Sequence, residues 1–418
     1  MVEGASWTPS RFSRIAALWM AFLLLALLVG VTFYAQAVYL ERLTATGRFS
    51  VTDVSLGATI TSLAGGLSGL GVARLLRRTS IKVLLVAGGL GTAVSLSCVG
   101  AAQTPWQLWA SYLALGATGA LAGGITLTEL LARVFQPDPT FAITIGSSGM
   151  SIGGAFLPPV VGIVLDGLGI FVGSVAIGAA ILGLTVLAAL LIDEPPRPEA
   201  EAAGHRASGH GAGYLAQAGA WFRRVRPNRV VLLLMAGFGL LIFSQNGTMI
   251  HILQLASDRD IPRADLALTV IAGTSFVFRF VGMAVLAFVG IRWFALAVAL
   301  CQGVGQVVLS GASGTTELLL GATLLGLTIG NITVLSSLFV LHGFSLARYA
   351  GVYAIVSLAG TLGGALGPLM LALGAEALGS YTVPLLLLGV SAASGGLALA
   401  ASGINSAPTR PRRRRRGR

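Results

Sequence analysis

Apolar residues along this chain come in long blocks, not in alternation. Twelve runs stand out, at roughly 15–40, 53–73, 81–102, 106–132, 141–165, 169–192, 229–254, 265–289, 293–312, 316–341, 349–375 and 381–402. A helix needs about 20 apolar residues to cross the hydrocarbon layer of a bilayer. The pattern therefore predicts an all-α membrane protein with twelve spanning helices. The first run follows Arg11 and Arg14, as the apolar core of a signal peptide would. It is longer than the usual core of about 7–15 residues. Tyr34, Gln36 and Tyr39 also sit in its second half, so it reads as a retained first helix.

The longest non-apolar stretch, 193–228, separates six runs from six. It predicts an N-terminal six-helix bundle over 1–192, a cytoplasmic linker over 193–228, a C-terminal bundle over 229–402 and a cytoplasmic tail over 403–418. Near the linker's end, Tyr214, Ala218, Trp221, Phe222 and Val225 follow helical spacing beside Arg223, Arg224 and Arg226. That suits a short helix lying on the membrane face; a linker with incidental aromatics is the plain alternative. The halves also repeat. Gly153, Gly154, Ala155 and Pro158 return 210 residues later as Gly363, Gly364, Ala365 and Pro368. The same offset carries Gly116 to Gly326, Thr118 to Thr328, Asp166 to Glu376 and Gly169 to Gly379. Two parallel six-helix repeats place a solute site near the midplane, between the halves.

Composition narrows the class. Charged residues make up 10% of the 418 and hydrophobic ones 55%, against about 25% charged in soluble domains. A soluble enzyme, a nucleic-acid-binding protein and a secreted disulfide scaffold are excluded on that ground. The net charge of +12 belongs to loops and tail. With both termini inside, 22 of the 27 basic residues fall on the inner side and 4 outside. This predicts a multi-pass protein of the plasma (inner) membrane with cytoplasmic termini. The seven Arg of the last nine residues would meet anionic lipid. Cys98 and Cys301 lie far apart inside apolar runs. No spacing suggests a metal, a cofactor or a nucleic-acid partner. A single copy suffices for this design, and oligomeric state is left open.

Arg279 is the only charge deep within a run. An Arg at the bilayer centre costs about 2.5–3.5 kcal/mol on insertion scales and does not shed its charge. A wet cavity and an anionic solute would answer that cost, since the planar guanidinium suits a carboxylate. An Arg held by carbonyls and hydroxyls, tying helices together, is the structural alternative. Tyr34, Gln245, Asn246, Thr328 and Asn331 are further candidates for the same cavity, Thr328 lying three residues before Asn331. Each could equally serve a helix–helix hydrogen bond. Tyr112, Gly116, Gly119 and Gly123 give the fourth helix one small-residue face, for widening the cavity or for close packing. His251, near the outer end of the seventh helix, is a candidate proton carrier or an interfacial hydrogen-bonding residue. Glu129 and Arg133 form a helical pair.

These residues resemble the major facilitator superfamily. Gly69, Arg74, Arg77 and Arg78 follow its Gly-x-x-x-Asp-Arg-x-Gly-x-Arg loop, with Ala73 in place of Asp and Leu76 in place of Gly. The resemblance implies a gating role for Gly69, Arg74 and Arg78. Within the superfamily the chain looks most like the monocarboxylate transporter and oxalate–formate antiporter branch. The stretch from Ala142 to Pro159 resembles that branch's fifth helix and the stretch from Ile250 to Ile261 the end of its seventh. Arg279 matches an Arg that binds the substrate carboxylate there. Ser275 stands where the animal members carry Asp, and their Lys of the first helix has no counterpart. The expectation is alternating-access transport of a small organic anion, a monocarboxylate first, with uniport, proton symport and exchange all open. The rivals are an exporter of amphipathic compounds and a non-transporting receptor or scaffold on the same fold.

Overall fold

The computed structural model describes residues 10–136, 139–193, 228–286 and 288–405. The proposed interfacial helix of the linker and the Arg-rich tail lie outside the described residues. Among those described, every regular element is helical. Twelve helices are long and apolar enough to cross a membrane. Spans 1 to 6 are Arg11–Tyr34, Val51–Leu76, Ile81–Ala101, Pro105–Val134, Phe141–Leu168 and Ile170–Leu191. Spans 7 to 12 are Arg229–Ser257, Asp265–Leu286, Ile291–Ser310, Thr315–Gly343, Gly351–Leu378 and Thr382–Ala401. With twelve spans, span 1 starts and span 12 ends on the same side of the bundle, here called the terminal side. The opposite side is the far side.

Each half packs by the same rule. Span 1 meets 5 and 6, span 2 meets 4, and span 3 meets 4 and 6. Correspondingly, span 7 meets 11 and 12, span 8 meets 10, and span 9 meets 10 and 12. The glycines explain the closeness of these crossings. A Cβ at Gly149 or Gly153 would collide with the Phe22 or Ala26 carbonyl of span 1, and one at Gly363 or Gly367 with the Gly239 or Phe243 carbonyl of span 7. Where helices are surrounded by lipid tails, such backbone contact supplies the packing that burial from water cannot. Gly169 and Gly379, 210 residues apart, end spans 5 and 11 at φ 78° and 61°. Residues with a Cβ rarely adopt that backbone.

Apolar side chains also cover the outside, as lipid contact allows: Leu90 and Val94 on span 3, Leu190 on span 6, Leu387 and Val390 on span 12 are exposed. The halves touch through spans 2 and 11, 5 and 8, and the segment Gln36–Ala45 against span 7.

Two spans are irregular. Span 1 widens to a π-turn at Gly30–Tyr34 before continuing as Gln36–Ala45. There the Thr32 hydroxyl donates back to the Leu28 carbonyl at 2.7 Å. Span 4 breaks at Gly123, one helix ending at Ala122 and the next starting at Gly124. The Thr126 hydroxyl donates to the Leu121 carbonyl at 2.6 Å across that break. Both irregularities lie where the halves part.

Candidate functional site

A cavity of about 360 Å³ opens between the halves on the terminal side of the middle. Span 1 contributes Phe33, span 2 Ser62, span 7 Gln245 and Asn246, span 10 Ser336, and span 11 Tyr353, Ser357 and Thr361. Among the described residues, none with a charge lines it. A second cavity of about 440 Å³ shares Phe33, Ser62 and Thr361 with the first. It is walled by Gly116, Gly119 and Gly123 of span 4 and reaches Gly69 of span 2. The small-residue face of span 4 thus serves both proposed ends: Gly116 packs on the Thr61 backbone while the same stripe widens the cavity.

The predicted substrate-binding residues separate into three groups. Gln245 and Asn246 are buried side by side in the cavity wall. The Asn246 Nδ2 donates to the Gly364 carbonyl at 3.3 Å.

Arg279 forms the second group. It continues the stripe Leu268, Ala272, Ser275 and Gly282, the buried face of span 8. Gly330 of span 10 lies close enough that a Cβ there would touch the Arg279 Cβ at 3.3 Å. The Arg279 Nε is buried without a hydrogen-bond partner. Among the described residues no carboxylate pairs with it; the ion pairs are Arg42 with Glu41 and Asp166, and Arg133 with Glu129. Its charge reaches the buried Tyr34 phenol from across the half boundary. The Tyr34 ring packs where a Cβ of Gly154 would be, with its centroid 5.2 Å from that of Phe33. Phe33 lines the cavity. Asn331 packs against span 8, its amide donating to the Phe278 carbonyl at 3.2 Å and the Leu327 carbonyl at 2.8 Å.

Thr328 is elsewhere. Its hydroxyl meets the Leu325 carbonyl and Gln302 Oε1, at 2.7 and 3.3 Å. Gln302 and Gln306 in turn donate to Ser244, and Ser244 to the Leu388 carbonyl at 2.8 Å. This buried network ties spans 7, 9, 10 and 12 together.

On the far side the halves are fastened. His251 Nε2 lies 2.9 Å from the Pro368 carbonyl and 3.1 Å from the Ser55 hydroxyl, and Nδ1 lies 2.9 Å from the Tyr381 hydroxyl. A carbonyl only accepts, so the proton sits on Nε2 and neutral Nδ1 accepts from Tyr381. The Thr59 hydroxyl donates to the Ala365 carbonyl at 2.5 Å, and the Thr44 hydroxyl to Gln254 at 2.8 Å. The Thr269 hydroxyl donates to the Ala155 carbonyl at 3.1 Å. Pro159 has no N–H, which leaves that carbonyl, one turn back, without its helical donor. Beyond the fastening lies a vestibule of about 490 Å³ rich in charge, with Glu41, Arg42, Asp166, Asp260, Arg263 and Asp265 on its walls. Arg42 grips Asp166 with two hydrogen bonds of 2.7 and 2.9 Å. Of the loop residues, Arg78 is exposed at the end of the helix Val51–Arg78 and Arg74 is half-buried.

Sequence reasoning missed Phe33, Ser62, Ser336, Tyr353, Ser357 and Thr361. A signal existed for the last three: Tyr353, Ser357, Thr361 and Gly364 recur at helical spacing, a polar and small stripe on an apolar helix.

Twelve spans in twinned halves, a polar cavity between them, and closure at the far side define a membrane transporter fold. The chain belongs to the Major Facilitator Superfamily, whose family model matches residues 18–282. Solved structures agree on the fold. A mutant form of the nucleoside transporter NupG aligns at 15% identity and TM-score 0.77, covering 93% of this chain and 99% of that one. A POT family transporter in complex with 5-aminolevulinic acid aligns at 11% identity and TM-score 0.73, covering 92% and 95%. A bacterial homolog of the human lysosomal transporter Spinster, inward-facing and unoccupied, aligns at 15% and 0.65, covering 94% of each. Identities this low speak for the fold alone. No curated protein sequence matches the chain. The family match is at the level of the superfamily, not of the monocarboxylate and oxalate–formate branch.

Proposed function

We propose that the chain carries a small organic anion across the plasma (inner) membrane by alternating access, with monocarboxylates the first class to test. The observation behind this reading is Arg279: a guanidinium on the inner face of span 8, its Nε buried and unpartnered, with its charge felt at Tyr34 of the other half. An anion arriving between the halves would supply the missing acceptor, and would be gripped by both halves at once. The cavity amides and hydroxyls would hold the rest of the solute. Positive charge on the short loops supports cytoplasmic termini. On that orientation the far-side fastening is the outer gate, and the cavity faces inward. Gly69, Arg74 and Arg78 would then stand toward the inner mouth, as a gating role for them would require. Asn331 would set the Arg279 helix against span 10.

The uncharged cavity lining favours one second reading, a neutral polyhydroxylated solute with Arg279 as a helix tie. Uptake of labelled small carboxylates and sugars into proteoliposomes, with and without a pH gradient, decides between them. Arg279→Lys keeps the charge and loses the planar fork. A charged hydrogen bond contributes about 1.5–3 kcal/mol, so carboxylate affinity should fall about 10- to 150-fold. An Arg279→Gln protein that folds, inserts and takes up a carboxylate with unchanged affinity removes the anion reading.

A further inference from the structure

Asn246 has one side of its amide committed and the other free. Pro368 lacks an N–H, so the Gly364 carbonyl, one turn earlier in span 11, has no helical donor. The Asn246 Nδ2 takes that place at 3.3 Å. Only the nitrogen of an amide can donate to a carbonyl, so the side chain is fixed in one orientation. Its Oδ1 is left buried with no donor. The next residue repeats the situation: Gln245 Oε1 is also buried and unpartnered. The two side chains are 8% and 7% exposed, and both line the 360 Å³ cavity. Gly364 completes the arrangement, since a Cβ there would stand 2.6 Å from Nδ2 and push the amide off its carbonyl.

Buried acceptors without donors are uncommon in folded proteins. Two in succession on one cavity wall, one of them held in place by a proline-freed carbonyl, ask for a donor from what enters. A solute with only acceptors and carbon would leave both unanswered and displace whatever water had served them.

We propose that Asn246, with Gln245 beside it, selects solutes that carry an O–H or N–H donor, and that Pro368 sets its aim through the Gly364 carbonyl. The proposal rests on the reading that this cavity holds the solute, and it does not require that Arg279 bind a carboxylate.

Matched probes test it on the purified full-length protein by ligand-dependent thermal shift. Butyrate is compared with 3-hydroxybutyrate and 4-aminobutyrate, and 2-deoxyribose with ribose. In the wild type the member of a pair with the additional O–H or N–H should act at a concentration on the order of 10-fold lower. Asn246→Leu, of similar size, should bring that ratio to near 1. Pro368→Ala restores an N–H to Gly364 and lets the amide turn. It should lower the ratio, and it serves as the test if the Asn246 variant does not fold. A wild-type ratio near 1, a ratio that survives in Asn246→Leu, a wild-type ratio kept by Pro368→Ala when the Asn246 variant does not fold, or a wild type that responds to no probe overturns the proposal. If the ribose pair shows the Asn246-dependent preference while no carboxylate acts, the anion reading falls and the donor-selecting site stands. Carboxylates that act without any preference give the reverse result.

Discussion

Glu376, at the end of span 11, closes over the start of span 2. Its carboxylate accepts from the Thr52 backbone N–H at 2.9 Å and from the Thr52 hydroxyl at 2.7 Å. The first N–H groups of a helix have no internal partners and carry partial positive charge, so a carboxylate is favoured there. Here the carboxylate comes from the other half, which makes the contact a clasp between halves. It is exposed, so it stabilises the far-side closure by only about 0.5–1 kcal/mol. Glu376→Gln should therefore shift the balance toward far-side opening by roughly 2- to 5-fold. A cysteine placed in the far-side vestibule, labelled with a membrane-impermeant maleimide, reports this. Unchanged labelling rates would mean that the His251 and Thr59 contacts hold the closure without it.

The glycine crossings predict a sharp contrast in stability. A methyl at Gly153 would meet the Ala26 carbonyl, and one at Gly363 the Gly239 carbonyl. Overpacking of this kind typically costs about 1–3 kcal/mol. Gly183 and Gly273 lie in helices with nothing within 4 Å of a built Cβ, and alanine there gains up to about 1 kcal/mol of helix propensity. Thermal unfolding in detergent should separate the pairs: Gly153→Ala and Gly363→Ala lower the midpoint, Gly183→Ala and Gly273→Ala hold or raise it. Equal effects at all four would mean that the crossings yield without cost.

The same glycines show what the sequence made legible. A 210-residue offset between Gly153 and Gly363 can be read from letters, and the packing the structure shows at those glycines, 1 with 5 and 7 with 11, is local to each half. The answers to the proline-freed carbonyls could not be read that way. The Ala155 acceptor is backbone, and its donor, Thr269, lies 114 residues away on the other half. Thr328 shows a finer limit. It and Asn331 are three residues apart, which on a helix is about 60° around the axis. That turns Asn331 toward span 8 and Thr328 toward Gln302 of span 9. Phe33 was hidden because a π-turn re-aims the side chains of span 1, and an apolar run carries no mark of where its helix widens.

Glu41 in the far-side vestibule gives a pH prediction. Burial pushes its carboxyl above the ordinary value, with Asp166 adding to the rise and the Arg42 guanidinium, 2.9 Å away, opposing it. An acid whose folded value is raised favours folding while protonated. Its contribution is complete below the unfolded value of about 4.3 and is lost as pH rises through the folded value. Glu41→Gln removes that loss. The midpoint of the variant, relative to wild type, should climb as pH is raised from about 4 to about 7. A difference that stays flat with pH would show the carboxylate to be as well served in the vestibule as in water.

His251 carries the prediction about coupling. In this closed arrangement it is 1% exposed, and its two nitrogens are taken by Pro368, Ser55 and Tyr381. Protonation would place a second hydrogen on Nδ1, and the Tyr381 hydroxyl would have to turn its own hydrogen away. A proton can reach the ring only when the halves part at Ser55, which is when the far side opens. Imidazole titrates in the physiological range once hydrated. A proton taken up in that state would have to leave, or stay bound at a cost, before the clasp with Pro368 and Ser55 re-forms. His251→Gln keeps one donor and one acceptor and cannot titrate. It should reduce uptake driven by a pH gradient while leaving exchange at equal pH largely intact. Both rates falling together would make His251 a closure residue and nothing more. A wild type indifferent to pH would leave no coupling to assign, and exchange or facilitated diffusion would then be the mechanism.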